Sequence, residues 1–180
     1  MKPMGHTTEA SHPGDDFKKL KYIDWDDART IPFDRDIRVW EYPWHTVEDE
    51  DDGTQTWSET RKWTLALYDE DRHPIALSSL TLIALLEDYT TPVLELTFAV
   101  KAEHYRRGLG CRMALAALKF ATIEELLRPK LIVARVAEEN GASLRICEAL
   151  METSPEMTAI YGTTRHPVVF GRLLDNCVEV

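Results

Sequence analysis

FAVKAEHYRRGLGCRMALAALKF, residues 98–120, changes its periodicity in the middle. Before the change, side chains alternate. Leu94, Leu96, Phe98 and Val100 line one face, with Val93, Glu95, Thr97 and Ala99 on the other, so residues 93–100 read as a strand. After it, Leu109, Met113, Ala116, Phe120, Ile123 and Leu127 recur in steps of four and three, one face of an α-helix that Pro129 stops. Between the two lies Tyr105-Arg106-Arg107-Gly108-Leu109-Gly110-Cys111. A helix start offers unpaired N–H groups and the positive end of a dipole. Glycine lets an anion approach the backbone, and arginine stays charged at any ordinary pH. Those are the needs of a pyrophosphate. A turn that merely begins a helix is the competing reading. The stretch is too short for the phosphate loop GxxxxGK[ST] and lacks GxGxxG.

Downstream, LIVARV (131–136) is nearly all apolar, as a strand buried on both faces should be. A shorter helix fits Gly141 to Met151, and two short strands are expected near 157–162 and 168–174. Strand–helix–strand predicts a right-handed crossover between parallel strands. Upstream, RKWTLALY (61–68) and IALSSLTLIALL (75–86) read as strands joined by the turn residues 69–74, with a polar break at 87–92. Ile37 to Tyr42 alternates and is aromatic, a strand that Pro43 should end. Residues 1–16 read as a mobile tail and 17–180 as a single domain. The expected fold is α/β in the α+β sense: a mixed, mostly antiparallel sheet flanked by helices, with a strand–helix–strand unit at its centre.

The 180 residues, 44% apolar and 29% charged, suit one domain with a sizeable core. A net charge of −10 disfavours nucleic acid and favours cationic partners. Glu48 to Asp52 is a run of carboxylates, either a solvated loop tip or a lure for a cationic substrate. No apolar run is long enough for a bilayer, and MKPMGHTTEA lacks the apolar stretch of a signal peptide, so no membrane association is expected. Cys111, Cys147 and Cys177 show no pairing pattern, which suggests a reducing cytoplasm. The histidines show no metal-ligand spacing, and no metal is expected. Trp25, Trp40, Trp44, Trp57 and Trp63 cluster in the first third, for packing or as walls of a pocket that holds a cation.

The order FAVKAEHYRRGLG, LIVARV, then Glu139-Asn140-Gly141-Ala142-Ser143-Leu144 resembles the GNAT superfamily of acyl-CoA N-acyltransferases. Members run strand, Q/R-x-x-G-x-G/A, helix, buried strand, and an N…S… helix. The resemblance implies the GNAT-like fold, acetyl-CoA as co-substrate, and acetyl transfer to a primary amine on a small molecule or a protein. The alternatives on the same fold are a degenerate acyl-CoA-binding module and a protein-interaction domain. A homodimer is compatible with each. By resemblance, backbone groups of Phe98 and Val100 pair with the pantetheine arm, a backbone N–H near Val100 holds the thioester carbonyl, and the amides of Arg106, Arg107, Gly108, Leu109, Gly110 and Cys111 hold the pyrophosphate. Asn140 bonds the arm, caps its helix, or does both. On this view Gly110→Asp loses the cofactor and keeps the fold.

The chain departs from the pattern in places. Tyr105 stands where Gln or Arg is usual. Cys147 takes the place of a tyrosine that protonates the leaving thiolate, so it is a thiol acid or a small buried hydrophobe. Glu95 is the candidate base, although the family's strand glutamate falls at Leu94 here. Glu138 and a water chain are alternatives. Tyr161, on an expected late strand, is a candidate acid. His104 assists the phosphate or is an ordinary loop histidine.

Overall fold

The computed structural model describes residues 29–49, 55–85, 92–123 and 131–174, with the backbone alone at 42–49, 55–60, 84–85 and 92. A meander comes first: β1 (Arg29–Ile31), β2 (Asp34–Asp49), β3 (Gln55–Tyr68), β4 (Pro74–Leu85) and β5 (Pro92–Val100), each antiparallel to the next. The β3–β4 turn is tight because Asp69 accepts hydrogen bonds from the amides of Asp71 (3.0 Å) and His73 (2.8 Å), while Arg72 adopts left-handed backbone at φ 63°. The chain then crosses over through α1 (Leu109–Ile123) and lays β6 (Leu131–Val136) parallel to β5. α2 (Gly141–Leu150), β7 (Glu152–Thr153), α3 (Pro155–Tyr161) and β8 (Val168–Leu173) complete it. The eight-stranded order is β1-β2-β3-β4-β5-β6-β8-β7, the mixed, mostly antiparallel sheet that the sequence implies.

The alternation read along 93–100 sorts the core. Leu94 and Leu96 face α1 with Trp63, Leu65, Leu80, Ile132 and Phe170. Against them α1 sets Met113 and Phe120, with Ala114, Ala116, Ala117 and Ala121, small residues that let the helix lie close. Each large apolar side chain so buried contributes about 1.5–3 kcal/mol. Arg112 fixes the start of α1 to β2: its guanidinium donates to Asp34 from Nε (3.0 Å) and Nη2 (2.8 Å). The opposite face has two apolar patches, Trp40–Ala66–Leu77 and Val93–Val133–Val169. Trp40 meets Tyr68 edge to face at 5.8 Å. Buried polar groups separate the patches: Lys62, Glu95, and Thr64 hydrogen-bonded to Ser79 at 3.0 Å.

Several expectations change. β2 runs through Pro43, which pairs in register with Arg61. Among the described residues β1 reaches β2 only as far as Val39, so no described strand pairs with Pro43 on its outer side, and a strand edge tolerates proline. Residues 157–162 are no strand. α3 spans Pro155–Tyr161, started by Ser154, whose hydroxyl accepts from the amides of Glu156 and Met157, with Pro155 in the first turn. Glu48 and Asp49 lie in β2 rather than in a loop, and the rest of the acidic run is outside the described residues, as are the 1–16 tail, Leu127, Pro129 and Cys177.

The sheet has one short seam. β5 and β6 pair in register at Val93–Leu131, Leu94–Ile132 and Glu95–Val133, then part.

Candidate functional site

Where the parallel strands part, two clefts open. The first, about 830 Å³, lies among the end of β5 (Phe98 to Val100), the turn His104–Cys111 and the near side of α2. The second, about 560 Å³, lies between Leu96–Phe98 of β5 and Ala134–Val136 of β6, and reaches the Thr164–Pro167 loop. Phe98, Asn140 and Ser143 line both, so the clefts meet at that wall.

The first cleft is shaped by backbone. A short 3-10 turn, Ala102–His104, follows β5 and is anchored where the Lys101 amide donates to Ile75 (3.0 Å). Arg106 (φ 62°) and Gly108 (φ 73°) then adopt left-handed backbone. Alternating left-handed and ordinary residues gather successive N–H groups into a concavity suited to an anion. The amides of Leu109, Gly110 and Cys111 precede the first bond of α1, Arg112 N–H to the Gly108 carbonyl at 3.0 Å, so helix geometry gives them no acceptor. A Cβ on Gly108 would meet nothing within 4 Å, so its backbone angle and not crowding calls for glycine.

Gly110 is different. A Cβ there would stand 3.0 Å from Ile146 Cδ1 and within 4 Å of Val100 and Phe98. The glycine lets α1 lie against α2 and β5, so a side chain at 110 meets apolar packing as well as the turn, and Gly110→Asp acts on both. Arg106 lines the cleft. Arg107 is not part of that wall and reaches His104 Nδ1 at 3.5 Å. Asn140 caps α2, its Oδ1 accepting from the Ser143 amide at 3.1 Å. The cap uses the oxygen alone.

The second cleft is made of side chains. Glu95 and Arg135, each about nine-tenths buried, form a bidentate pair: Nε to Oε1 at 2.6 Å and Nη2 to Oε2 at 2.7 Å. Both oxygens of Glu95 are thereby occupied. Glu138 and Glu139 stand exposed at the lip. His166 is half-buried on the far wall, on a loop closed by Thr163 N–H to the His166 carbonyl (3.1 Å) and His166 N–H to the Thr163 carbonyl (3.2 Å).

Two candidates from the sequence sit outside both walls. Cys147 is 1% exposed in the α1-side core, its thiol pushed up to about 11 by burial and then by the charge of Glu148. Tyr161 is on a helix, packed beside Val93, Val133 and Val169, where burial raises its phenol. Trp40 and Trp63 are core residues on opposite faces of the sheet and line neither cleft; Trp25 and the side chains of Trp44 and Trp57 are outside the described set. The sequence reading missed Arg135, Ser143 and His166. Arg135 had a signal, being the one charge inside LIVARV, and Ser143 follows Asn140 by one helical turn. His166 had none.

No described helix is long and apolar enough to cross a membrane. No curated protein sequence matches the chain. Solved structures do. A ribosomal-protein-alanine N-acetyltransferase from Brucella melitensis is 14% identical with a TM-score of 0.50, over 63% of this chain and 69% of that one. Salmonella typhimurium yncA, solved with its cofactor acetyl-CoA, is 16% identical with a TM-score of 0.48, over 67% and 68%. A GCN5-related N-acetyltransferase from Kribbella flavida is 20% identical with a TM-score of 0.47, over 63% and 68%. At 14% identity, the likeness to the Brucella melitensis enzyme speaks for the fold alone. The sequence itself matches the family model described as the Acetyltransferase (GNAT) domain over residues 19–150. That match takes in the meander, the left-handed turn, the split strands and the capped α2, and the chain belongs to the GNAT acetyltransferase family.

Proposed function

We propose that this chain transfers an acetyl group from acetyl-CoA directly to a primary amine. The observation that carries the reading is the left-handed turn Arg106–Gly108, which opens α1 onto a cleft that meets a second cleft at Phe98, Asn140 and Ser143. The residues fit the cofactor: a concavity of amides at a helix start, a glycine whose missing Cβ leaves open space, and an arginine in the wall. The amides of Leu109, Gly110 and Cys111 would take the pyrophosphate, with Arg106 adding charge. The β5 edge from Phe98 to Val100, beyond its pairing with β6, would receive the pantetheine arm as an extra strand, and Asn140 would bond it. Bound acetyl-CoA supplies an acyl group activated as a thioester. A backbone N–H near Val100 would polarise its carbonyl. The amine would enter by the second cleft, and the net charge of −10 favours a cationic one. Glu95, held by Arg135, fixes the charge of the cleft floor. Residence in the cytoplasm is part of the same reading, which the free thiols of Cys111 and Cys147 suit.

A second reading is an acyl-CoA-binding module without turnover. It is favoured by the burial of Cys147 where the family carries a tyrosine, and by the occupied oxygens of Glu95. Calorimetric titration with acetyl-CoA, followed by release of free CoA across a panel of amines, separates the two. The panel would hold a polyamine, an alanine-initiated peptide, a lysine peptide and a free amino acid. Binding with CoA release supports transfer, binding without release with any amine leaves the module, and no binding at millimolar acetyl-CoA removes both.

A further inference from the structure

We infer that His166 takes the proton from the acceptor amine. The inference rests on the transfer reading and names a residue for it. An ammonium has no lone pair, so attack on a thioester needs a group that accepts its proton.

The charged and titratable groups of the second cleft are few. β5 contributes Glu95, β6 contributes Arg135, the β6–α2 turn contributes Glu138 and Glu139, and the loop itself contributes Arg165 and His166. Guanidinium groups accept no hydrogen bond. Glu95 already accepts from Arg135 at both oxygens, at 2.6 and 2.7 Å, and protonating it would break a buried pair. Glu138 and Glu139 are exposed at the lip, and a solvated carboxylate is too weak a base to serve well near neutral pH. A neutral imidazole carries one acceptor nitrogen and is far better matched to that task.

The placement of His166 agrees with that role. It is half-buried and lines the cleft that also holds Phe98, Asn140 and Ser143, the wall shared with the first cleft. Its backbone is held to Thr163 three ways, since the His166 amide also donates to Thr163 Oγ1 at 3.1 Å. Among the described residues no partner claims its ring. In the step, one ammonium proton passes to the free imidazole nitrogen. The nitrogen lone pair then forms the C–N bond as the C–S bond breaks. The second proton lost by that nitrogen goes to the departing thiolate, and the imidazolium returns its own to solvent.

The test uses the full chain, with acetyl-CoA and the same panel of amines. His166→Ala and His166→Gln should melt and bind acetyl-CoA as wild type does. With the amine that wild type acetylates, kcat/KM should fall by about 10²-fold. Added imidazole should restore rate to His166→Ala but not to His166→Gln. A fall of less than about five-fold, well under what a lost general base costs, overturns the inference. So does absence of imidazole rescue, or unfolding of both variants, which would mark His166 as structural. If wild type binds acetyl-CoA but acetylates none of the amines, or does not bind it, the transfer reading fails and this inference goes with it. If wild type turns over and the variants do too, this inference alone fails.

Discussion

The two clefts share a wall and are built by different means. The first is made of backbone: a left-handed turn, the start of a helix and the free edge of a strand. The second is made of side chains brought from four places: Glu95 on β5, Arg135 on β6, Asn140 and Ser143 at the start of α2, and His166 on the last loop. A backbone site depends on the few residues that set dihedral angles or permit close approach, and tolerates change elsewhere. A side-chain site depends on each partner by name. Substitutions should therefore damage the two clefts in different ways.

The largest effect should fall on the second cleft. Arg135→Met strands Glu95 as a buried carboxylate without a partner, which should cost about 3–5 kcal/mol by urea unfolding. Replacing Glu95 by Met as well should recover most of it, because the penalty belongs to the unpaired charge. A loss below about 1 kcal/mol would mean that water reaches the pair, as it does at a surface bridge, and the contrast between the clefts would blur.

In the first cleft the two glycines should separate. Gly110→Val drives branched carbons toward Ile146, Val100 and Phe98 and should cost about 2 kcal/mol by overpacking. Gly108→Ala meets nothing and should cost about 1 kcal/mol, from its φ of 73° alone. Thermal melts of the two variants check the order; a costlier Gly108 would show that something crowds the turn.

A smaller effect, borne by pH, tests whether Cys147 belongs to neither cleft. Its thiol is neutral in the folded protein up to about 11, from an ordinary value of 9.0. A raised folded value gives stability that is complete below about pH 9 and lost as pH rises through about 11. The urea midpoint of wild type should therefore fall more steeply between those limits than that of Cys147→Ala. Parallel slopes would place the thiol in water, and so nearer a cleft than the core.

The smallest effect concerns the two arginines of the turn. Arg106→Ala should weaken acetyl-CoA binding by about 1–2 kcal/mol in calorimetry, as for one charge-assisted contact. Arg107→Ala should do less, because Arg107 reaches His104 rather than the cleft. The reverse order would move the phosphate site along the turn.

The same contrast governs what could be read from the sequence. Backbone features leave local marks. The alternation over 93–100, the glycines at 108 and 110, the four–three spacing after Leu109 and the apolar run LIVARV are all short-range, and each gave an element in the right place. Partners in the second cleft leave no such mark. Glu95 and Arg135 are 40 positions apart and meet through a parallel register that periodicity does not reveal. The misreading of 157–162 has a related cause. Met157, Ile160 and Tyr161 suit a strand by composition, and the deciding signal lay just outside the window, in Ser154-Pro155-Glu156, a helix start. Pro43 misled because a proline stops a central strand, whereas among the described residues it has a paired neighbour on one side only, and how far β1 reaches along β2 has no mark in the sequence around it.

The short seam between β5 and β6 has a consequence for motion. In the sheet, β1–β5 form one leaf, and β6, β8 and β7 another, and among the described residues the leaves are joined by three residue pairs. Parting them there breaks few ladder bonds and leaves each leaf's own pairing intact. Amide protons of β6 and β8 should thus exchange through smaller openings than those of β3 and β4, where both neighbours are long antiparallel strands. A molecule lying along β5 and reaching α2 would act as a staple across that joint, slowing exchange on both sides at once. The fold is thinnest where it has the most to gain from being filled.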